Sequence, residues 1–393
     1  MQPLNVGVIG LGRAFTLMLP TFVADSRIKL VAATDPLPQA RAQFEKDFNA
    51  PAYDDAAAVC ADPLVEAVYV PSPHQFHADH ACLAAAHDKH VLVEKPMALT
   101  LAECTRMIDA CCAAGVQLIV GHSHSFNAPI KRCRELIDSG DYGAVKMITA
   151  MNFTDFLYRP RRPEELITAY GGGVIHSQAT HQIDIIRLLG GGLVTSVRAH
   201  TGAWDSSRPT EGAYSALLGF EGGAFASATY SGYGHYDSDE LLGNISELGQ
   251  PKNPTDYGGA RKRLAEHGNE AAFKAARNYG GSLYTHSPAL PANMAHQHFG
   301  QLIVSCEKAD LRPDAQGVMI YGNTEKRFEA VPQNASGIPR VEVIDELIAA
   351  TRHGRQATHC GQWARATTAV CLALLESART HSEQHPAYQV KPN

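Results

Sequence analysis

Along the first 120 residues the chain alternates between two patterns. Short apolar runs at Val6–Ile9, Ile28–Ala33, Val65–Val70, Val91–Val93 and Val116–Val120 have the length and β-branched content of strands buried on both faces. Between them lie helical spacings: Thr16–Phe22, Pro38–Phe48, an alanine run after Asp54-Asp55, Phe76–His87 and Leu101–Ala114. Asp54-Asp55 offers side-chain acceptors for a helix start, and Pro20 is expected to bend or end the first helix. Strands and helices taking turns in this way predict an open parallel sheet covered on both faces.

After His122 the period changes. Pro129–Ser139 reads as a helix and Val145–Phe153 as the first strand of a second sheet, followed by a basic, proline-containing loop, Tyr158–Pro163. Gly171-Gly172-Gly173 then opens a helix running to about Leu189. Val194–His200, Tyr214–Phe220 and Ala224–Tyr230 alternate well enough for an antiparallel sheet with one helix-covered face. Residues 232–292 are irregular, with a helix expected at about Tyr257–Ala276, and suit a lid or an oligomer element. Strand propensity at Gly317–Tyr321 and helices at Arg340–Thr351 and Gln362–Arg379 close the chain. A length of 393 residues is more than one core accommodates comfortably. The expected division is 1–123 and 124–393.

The first strand runs straight into Gly10-Leu11-Gly12, with a helix after it. Such a turn lets main chain approach a pyrophosphate, and the helix start presents unpaired N–H groups to it. Asp35 ends the second strand 25 residues beyond Gly10, close to where a carboxylate takes the ribose hydroxyls of adenosine. A carboxylate there would repel a 2′-phosphate, so NAD is the expected cofactor. Phe15 stands where a third glycine would be expected, so the turn taken alone also suits an ordinary α/β connection. With Asp35 the pattern predicts a Rossmann-type doubly wound domain followed by an α+β domain with a large, mostly antiparallel sheet. The cofactor cleft would gather Gly10, Gly12, Arg13, Ala14, Phe15, Asp35, Pro71, Ser72, His74, Glu94 and Lys95, all at or beside the carboxyl ends of strands.

Composition narrows the classes. Forty-five per cent hydrophobic and 19% charged residues describe an ordinary globular protein, and a formal charge of −6 gives no general attraction to nucleic acid or anionic membrane. Nine cysteines occur without a CxxC pair, and most of them read as reduced core residues. No apolar run spans a bilayer and no signal-peptide pattern is present, so a cytoplasmic location is expected. Nineteen histidines raise the question of a metal, but His176 and His181 are five apart, poorly suited to one helix face, and no metal site is expected.

Three features together resemble a known family. The dinucleotide fold, Glu94-Lys95-Pro96 after the fourth strand, and GGGVIHSQATHQIDIIRLLG at 171–190 are similar to the Gfo/Idh/MocA oxidoreductases, and the likeness extends to the terminal helix with Glu376-Ser377-Ala378. The resemblance implies Lys95 beside the nicotinamide and the reacting hydroxyl, His181 as an acid–base group, Asp184 as a supporting acid, and a dimer or tetramer. Many members carry an aspartate four residues after the last glycine; here Ser177 stands there, beside His176, which fits a substrate other than a plain sugar. Gly10-Leu11-Gly12-Arg13-Ala14-Phe15 resembles the branch that oxidises phthalate 4,5-cis-dihydrodiol to 4,5-dihydroxyphthalate. A sugar or cyclitol dehydrogenase is the alternative, and a nonenzymatic NAD-binding sensor a third.

The residues themselves support part of this. Ser177, His181 and Asp184 are spaced i, i+4, i+7 and would share one helix face. A carboxylate there could orient the imidazole and raise its basicity, giving a group that titrates near 7; a buried, satisfied histidine is the bland alternative. His122 and His124 follow the fifth strand and could line the same cleft, although histidines are common in loops. A dicarboxylate substrate calls for guanidinium forks. Arg159, Arg161 and Arg162 supply three in four residues, with Tyr158 beside them; a solvated basic turn or a subunit contact would explain them equally well.

Overall fold

The protein is described by a computed structural model covering residues 2–285, 294–334 and 337–393. The first sheet and its helices run β1 (Leu4–Ile9), α1 (Arg13–Ala24), β2 (Ile28–Thr34), α2 (Pro38–Phe48), β3 (Ala52–Tyr53), α3 (Ala56–Ala61), β4 (Ala67–Val70), α4 (His77–Ala86), β5 (His90–Val93), α5 (Leu101–Ala114) and β6 (Leu118–Val120). All six strands are parallel, in the order β3-β2-β1-β4-β5-β6. The order reverses between β1 and β4, and at such a switch point the carboxyl ends open a crevice for a ligand. Asp55 caps α3 by accepting from the Ala58 N–H at 2.8 Å, and Thr100 with Glu103 forms a capping box on α5. Pro20 does not end α1, which continues to Ala24. Burial of Phe15, Met18, Leu19 and Phe22 on one side of that helix outweighs the roughly 3 kcal/mol cost of an internal proline.

The second domain begins with α6 (Ala128–Asp138) and β7 (Val145–Phe153). A π-turn at Ile175–Ala179 runs into α7 (Thr180–Gly190), followed by β8 (Val194–Gly202), β9 (Ala213–Phe220), β10 (Phe225–Ser231), α8 (Gly259–Glu266) and α9 (Glu270–Arg277). Then come β11 (Gln301–Cys306), β12 (Ala309–Pro313), β13 (Gly317–Gly322), β14 (Lys326–Ala330), α10 (Val341–His353) and α11 (Gly361–Thr380). The eight strands lie in the order β14-β13-β12-β11-β7-β10-β9-β8. β7 and β10 are parallel, so the sheet is mixed although its other pairs are antiparallel. The β11–β12 hairpin turns on Glu307-Lys308, without the Gly or Asn that marks a tight turn, which is why the sequence pattern misses both strands. The single helix expected near Tyr257–Ala276 is two, because Asn269 starts a new one by accepting from the Ala272 N–H at 3.0 Å.

The last two helices return to the first sheet. Val343, Ile344, Leu347 and Ile348 of α10 share a core with Phe15, Leu92 and Ile119. Trp363, Val370 and Leu374 of α11 belong to the second sheet's core, while Ala364 joins the other face of the first. The start of α10 is thereby carried to the cleft between the sheets. No described helix is long and apolar enough to cross a membrane.

Candidate active site

At the crevice, Gly10 has φ +109°, and a Cβ there would lie 3.2 Å from the Ser72 main chain. β1 and β4 therefore approach as closely as a glycine allows. Asp35 is buried and accepts the Leu11 N–H at 2.7 Å and the Leu37 N–H at 2.8 Å. It clamps the glycine turn, and each oxygen keeps a lone pair free for a further donor. Arg41 lies next to it, donating to the Asp35 carbonyl at 2.7 Å and paired with Asp54 at 2.8 Å. A Cβ on Gly12 would meet nothing within 4 Å, so the turn has room for a diphosphate, with Arg13 exposed and Ala14 half-buried at the helix start. The Phe15 ring is fully buried, edge-on to Tyr279 at 5.1 Å. Tyr279 donates from its N–H to Thr16 Oγ1 at 3.1 Å and from its hydroxyl to Asp47 at 2.6 Å. The residue in place of a third glycine is thus a core anchor for the segment that follows α9.

Pro71 and Ser72 are buried. His77, which the sequence did not single out, places Nε2 2.8 Å from the Ser72 carbonyl and Nδ1 2.9 Å from that of Pro96. His74 crosses to the second domain, with Nδ1 3.2 Å from the Gly171 carbonyl.

Lys95 stands at the end of β5 and donates to the Ser177 carbonyl at 3.1 Å. Burial lowers its pKa; Arg340 and Arg161 push the same way, against Glu94 and Glu247. Glu94 accepts from the Tyr69 hydroxyl at 2.8 Å, and burial raises its pKa. The Ser177 hydroxyl is turned back onto the Gly173 carbonyl, so its backbone, not its side chain, faces Lys95. His181 is buried, and its Nδ1 is enclosed without a partner. Burial, then Lys95, His124 and His122, hold it well below its usual value of 6.5, not near 7, so it is neutral at physiological pH. His124 stands edge-on to it at 4.7 Å, Phe299 at 5.1 Å and His122 at 6.5 Å. Asn127 donates to His124 Nδ1 at 3.0 Å, which leaves the His124 proton on Nε2. His176 is buried as well, and burial holds it at about 4.

Asp184 turns to other partners. It accepts from Trp363 Nε1 at 2.7 Å, Thr367 Oγ1 at 2.8 Å and the Ser125 hydroxyl, and no hydrogen bond joins it to His181. Three donors brought by α11 and the turn after β6 hold its carboxylate there.

The three loop arginines separate. Arg159 pairs with Asp155 at 2.8 Å and Glu247 at 3.3 Å, and Arg162 with Glu164 at 3.2 Å and Glu165 at 3.6 Å. Tyr158 donates to Asp205 at 2.7 Å beneath the Arg261 guanidinium, 3.7 Å from its ring. Among the described residues Arg161 has no such carboxylate. It lies 3.6 Å over the Phe156 ring, donates to the Phe156 carbonyl at 2.5 Å, and keeps its Nε buried without a partner. Burial lowers its pKa to about 10, which leaves it cationic at neutral pH. A second guanidinium with no ion-pair partner among the described residues, Arg340, comes from the start of α10, and its Nε donates to Gln297 Oε1 at 3.3 Å. Nothing in the local pattern around Pro339-Arg340 marks it, and it lies far along the chain from Lys95. Among the described residues no group of three or more His, Cys, Asp or Glu side chains is placed to hold a metal ion.

Residues 4–122 match the Gfo/Idh/MocA oxidoreductase family, NAD-binding Rossmann fold, and residues 130–243 match the C-terminal domain of that family. The 1-carboxy-3-chloro-3,4-dihydroxycyclohexa-1,5-diene dehydrogenase of Comamonas testosteroni is 50% identical over 381 residues, covering 96% of this chain and 95% of its own. The myo-inositol 2-dehydrogenase of Thermotoga maritima is 31% identical over 199 residues, covering 50% of this chain and 58% of its own. Among solved structures, a Bordetella bronchiseptica RB50 protein named only as a dehydrogenase superposes with a TM-score of 0.92 at 40% identity, over 98% of this chain and 100% of that one.

Proposed function

Because this chain belongs to the Gfo/Idh/MocA oxidoreductase family, we propose that it oxidises a ring-carboxylated cis-dihydrodiol with NAD, its substrate being phthalate 4,5-cis-dihydrodiol and its product 4,5-dihydroxyphthalate. The observation that carries this is the near-full-length 50% identity with a dehydrogenase named for a carboxylated dihydroxycyclohexadiene. The step from one ring carboxylate to two rests on the Gly10–Phe15 likeness and on the unpaired Arg161 guanidinium near Lys95. Asp35, with one oxygen on the Leu11 N–H of the glycine turn and the other on the Leu37 N–H, favours NAD over NADP by repelling a 2′-phosphate.

When bound, the nicotinamide supplies the hydride acceptor. Lys95, fixed by the Ser177 carbonyl, holds the reacting hydroxyl and stabilises negative charge growing on its oxygen. Neutral His181 takes the hydroxyl proton as the carbinol hydride leaves, so two electrons and two hydrogens are lost and a C=O forms. Enolisation of that ketone, in which the proton on the neighbouring ring carbon is released and the carbonyl oxygen takes one up, gives the aromatic diol and draws the oxidation forward. His122, His124 and Phe299 keep water from the imidazole face on which this transfer depends.

The test is NADH formation by the purified protein against phthalate dihydrodiol, its noncarboxylated analogue, the chlorinated monocarboxylate diol, myo-inositol and xylose. Preference for the dicarboxylate is expected. Equal rates on the noncarboxylated diol, or turnover confined to sugars, overturns the proposal.

We also infer a homo-oligomer, dimer or tetramer. The sheet face away from the helices exposes Leu217, Phe225, Phe328 and Met147, large apolar side chains that a partner subunit would cover. Sedimentation giving only a 42.3 kDa species contradicts it.

A further inference from the structure

Arg340 departs from three local preferences at once. It sits in the left-handed region at φ 52°, ψ 27°, which residues with a Cβ avoid. It occupies the N-cap of α10, where an oxygen-bearing side chain would accept the first free N–H, and its side chain makes no cap hydrogen bond. It also sets a cation at the positive end of a helix. Glu342 in the first turn of α10 offsets part of that charge at the helix end. Among the described residues the guanidinium's one hydrogen bond is to the neutral Gln297 amide at 3.3 Å, and no carboxylate lies within ion-pair distance. Departures that gather on one residue of an otherwise regular element mark functional positions.

The guanidinium also lies at the right place. The Gln297 it touches accepts from Asn127 Nδ2 at 2.7 Å through its carbonyl; Asn127 holds His124 at 3.0 Å, and His124 meets His181 at 4.7 Å. Its charge is felt at Lys95, His122, His124 and His181. The opposing charge on this side is Glu94, which already faces Lys95 and the Tyr69 hydroxyl. The cleft thus carries more positive than negative charge before any ligand enters.

We propose that Arg340 is a specificity-determining residue whose guanidinium receives a ring carboxylate of the substrate, α10 presenting it from the side of the first sheet while Arg161 stands on the second-domain loop. The inference rests on the carboxylated-diol reading and adds the residue that would enforce it. Its fork matches a carboxylate in two parallel hydrogen bonds, and a noncarboxylated diol would leave it unanswered.

Arg340→Asn is the informative variant, because asparagine tolerates the left-handed region and is a favoured N-cap. The full-length protein, saturated with NADH, is titrated with phthalate as an unreactive dicarboxylate and with catechol as its uncharged counterpart. The variant is expected to melt at or above the wild-type temperature, to bind phthalate at least 10-fold more weakly, and to bind catechol and NADH within twofold of wild type. Arg340→Lys, which keeps charge without the fork, falls between. Unchanged phthalate affinity in Arg340→Asn overturns the proposal, and so does a parallel loss of NADH binding, which would make the guanidinium a cofactor anchor. If wild type itself neither binds phthalate nor turns over a carboxylated diol, the substrate reading has failed. If wild type does both and the variant matches it, only the role of Arg340 has.

Discussion

Lys95 Nζ, at the end of the fifth strand of one sheet, is hydrogen-bonded at 3.1 Å to the Ser177 carbonyl in the π-turn that leads into α7 of the other domain. A π-turn loosens the regular i→i−4 ladder, and here a helix carbonyl serves a side chain from another domain. The bond orients one ammonium hydrogen and leaves two for a substrate oxygen. Replacing Lys95 by methionine should lower kcat by about 10²–10⁴-fold while an NADH titration stays near wild type. Near-normal turnover at saturating substrate would refute the role.

His181 should set the acid limb of the rate profile. Burial and the neighbouring Lys95, His124 and His122 hold its pKa well below 6.5, and the proposed reaction uses the neutral ring. Activity in the oxidative direction is therefore full at neutral pH and falls only as pH drops through that lowered value. In the proposed step Lys95 acts as the ammonium, so an alkaline limb should appear below the ordinary 10.5. In His181→Gln the acid limb should vanish from kcat/KM; a limb persisting at the same pH assigns it to another group.

Asp184 is expected to matter for stability first. Asp184→Asn disturbs an acceptor shared by Trp363, Thr367 and Ser125 and should cost about 1–3 kcal/mol in urea unfolding. The residual enzyme should keep the wild-type pH profile. A displaced acid limb would instead show Asp184 acting on His181.

The loop arginines should divide by pairing. Arg161→Met is expected to raise KM for a carboxylated diol about 10–100-fold with little change for the noncarboxylated one. Arg159→Met leaves Asp155 and Glu247 unpaired, and should affect both substrates alike. Indifference of KM to the Arg161 change would remove it from substrate recognition.

Acid should destabilise the fold in a defined window. His77 and His176 are buried and held at about 4 by burial, below the unfolded value near 6.5. The unfolded chain takes up protons first, so stability is full above 6.5 and declines as pH falls from 6.5 toward 4, by about 3 kcal/mol per group. Urea midpoints at pH 7, 5.5 and 4.5 measure this, with His176→Gln reducing the slope. A flat profile over that range would contradict it.

The first domain was readable because each of its signals is local. Apolar runs of strand length, the glycine turn, Asp35 and the Asp55 cap declare themselves within a few residues, and they correctly gave a doubly wound sheet and its crevice. The second sheet was harder. β11 and β12 join through Glu307-Lys308, which carries no turn residue, and the parallel pairing of β7 with β10 depends on a crossover that no local pattern encodes.

Within the site, spacing put Ser177, His181 and Asp184 on one side of their helix, but it could not say what packs there. Trp363 and Thr367, nearly 180 positions along the chain, hold the Asp184 carboxylate. Three neighbouring arginines looked equivalent until Glu247 from a distant loop reached Arg159 and left Arg161 unpaired. Phe15 resembled a flawed cofactor turn, yet Tyr279 makes it core. Arg340 came into view only when α10 folded back beneath the first sheet. Backbone propensity and hydrophobic period act over a turn or two of chain, so they can be read along it. Ion pairs, hydrogen-bond partners and unpaired charge depend on distance through space, and that distance is set when the two domains and their returning helices pack.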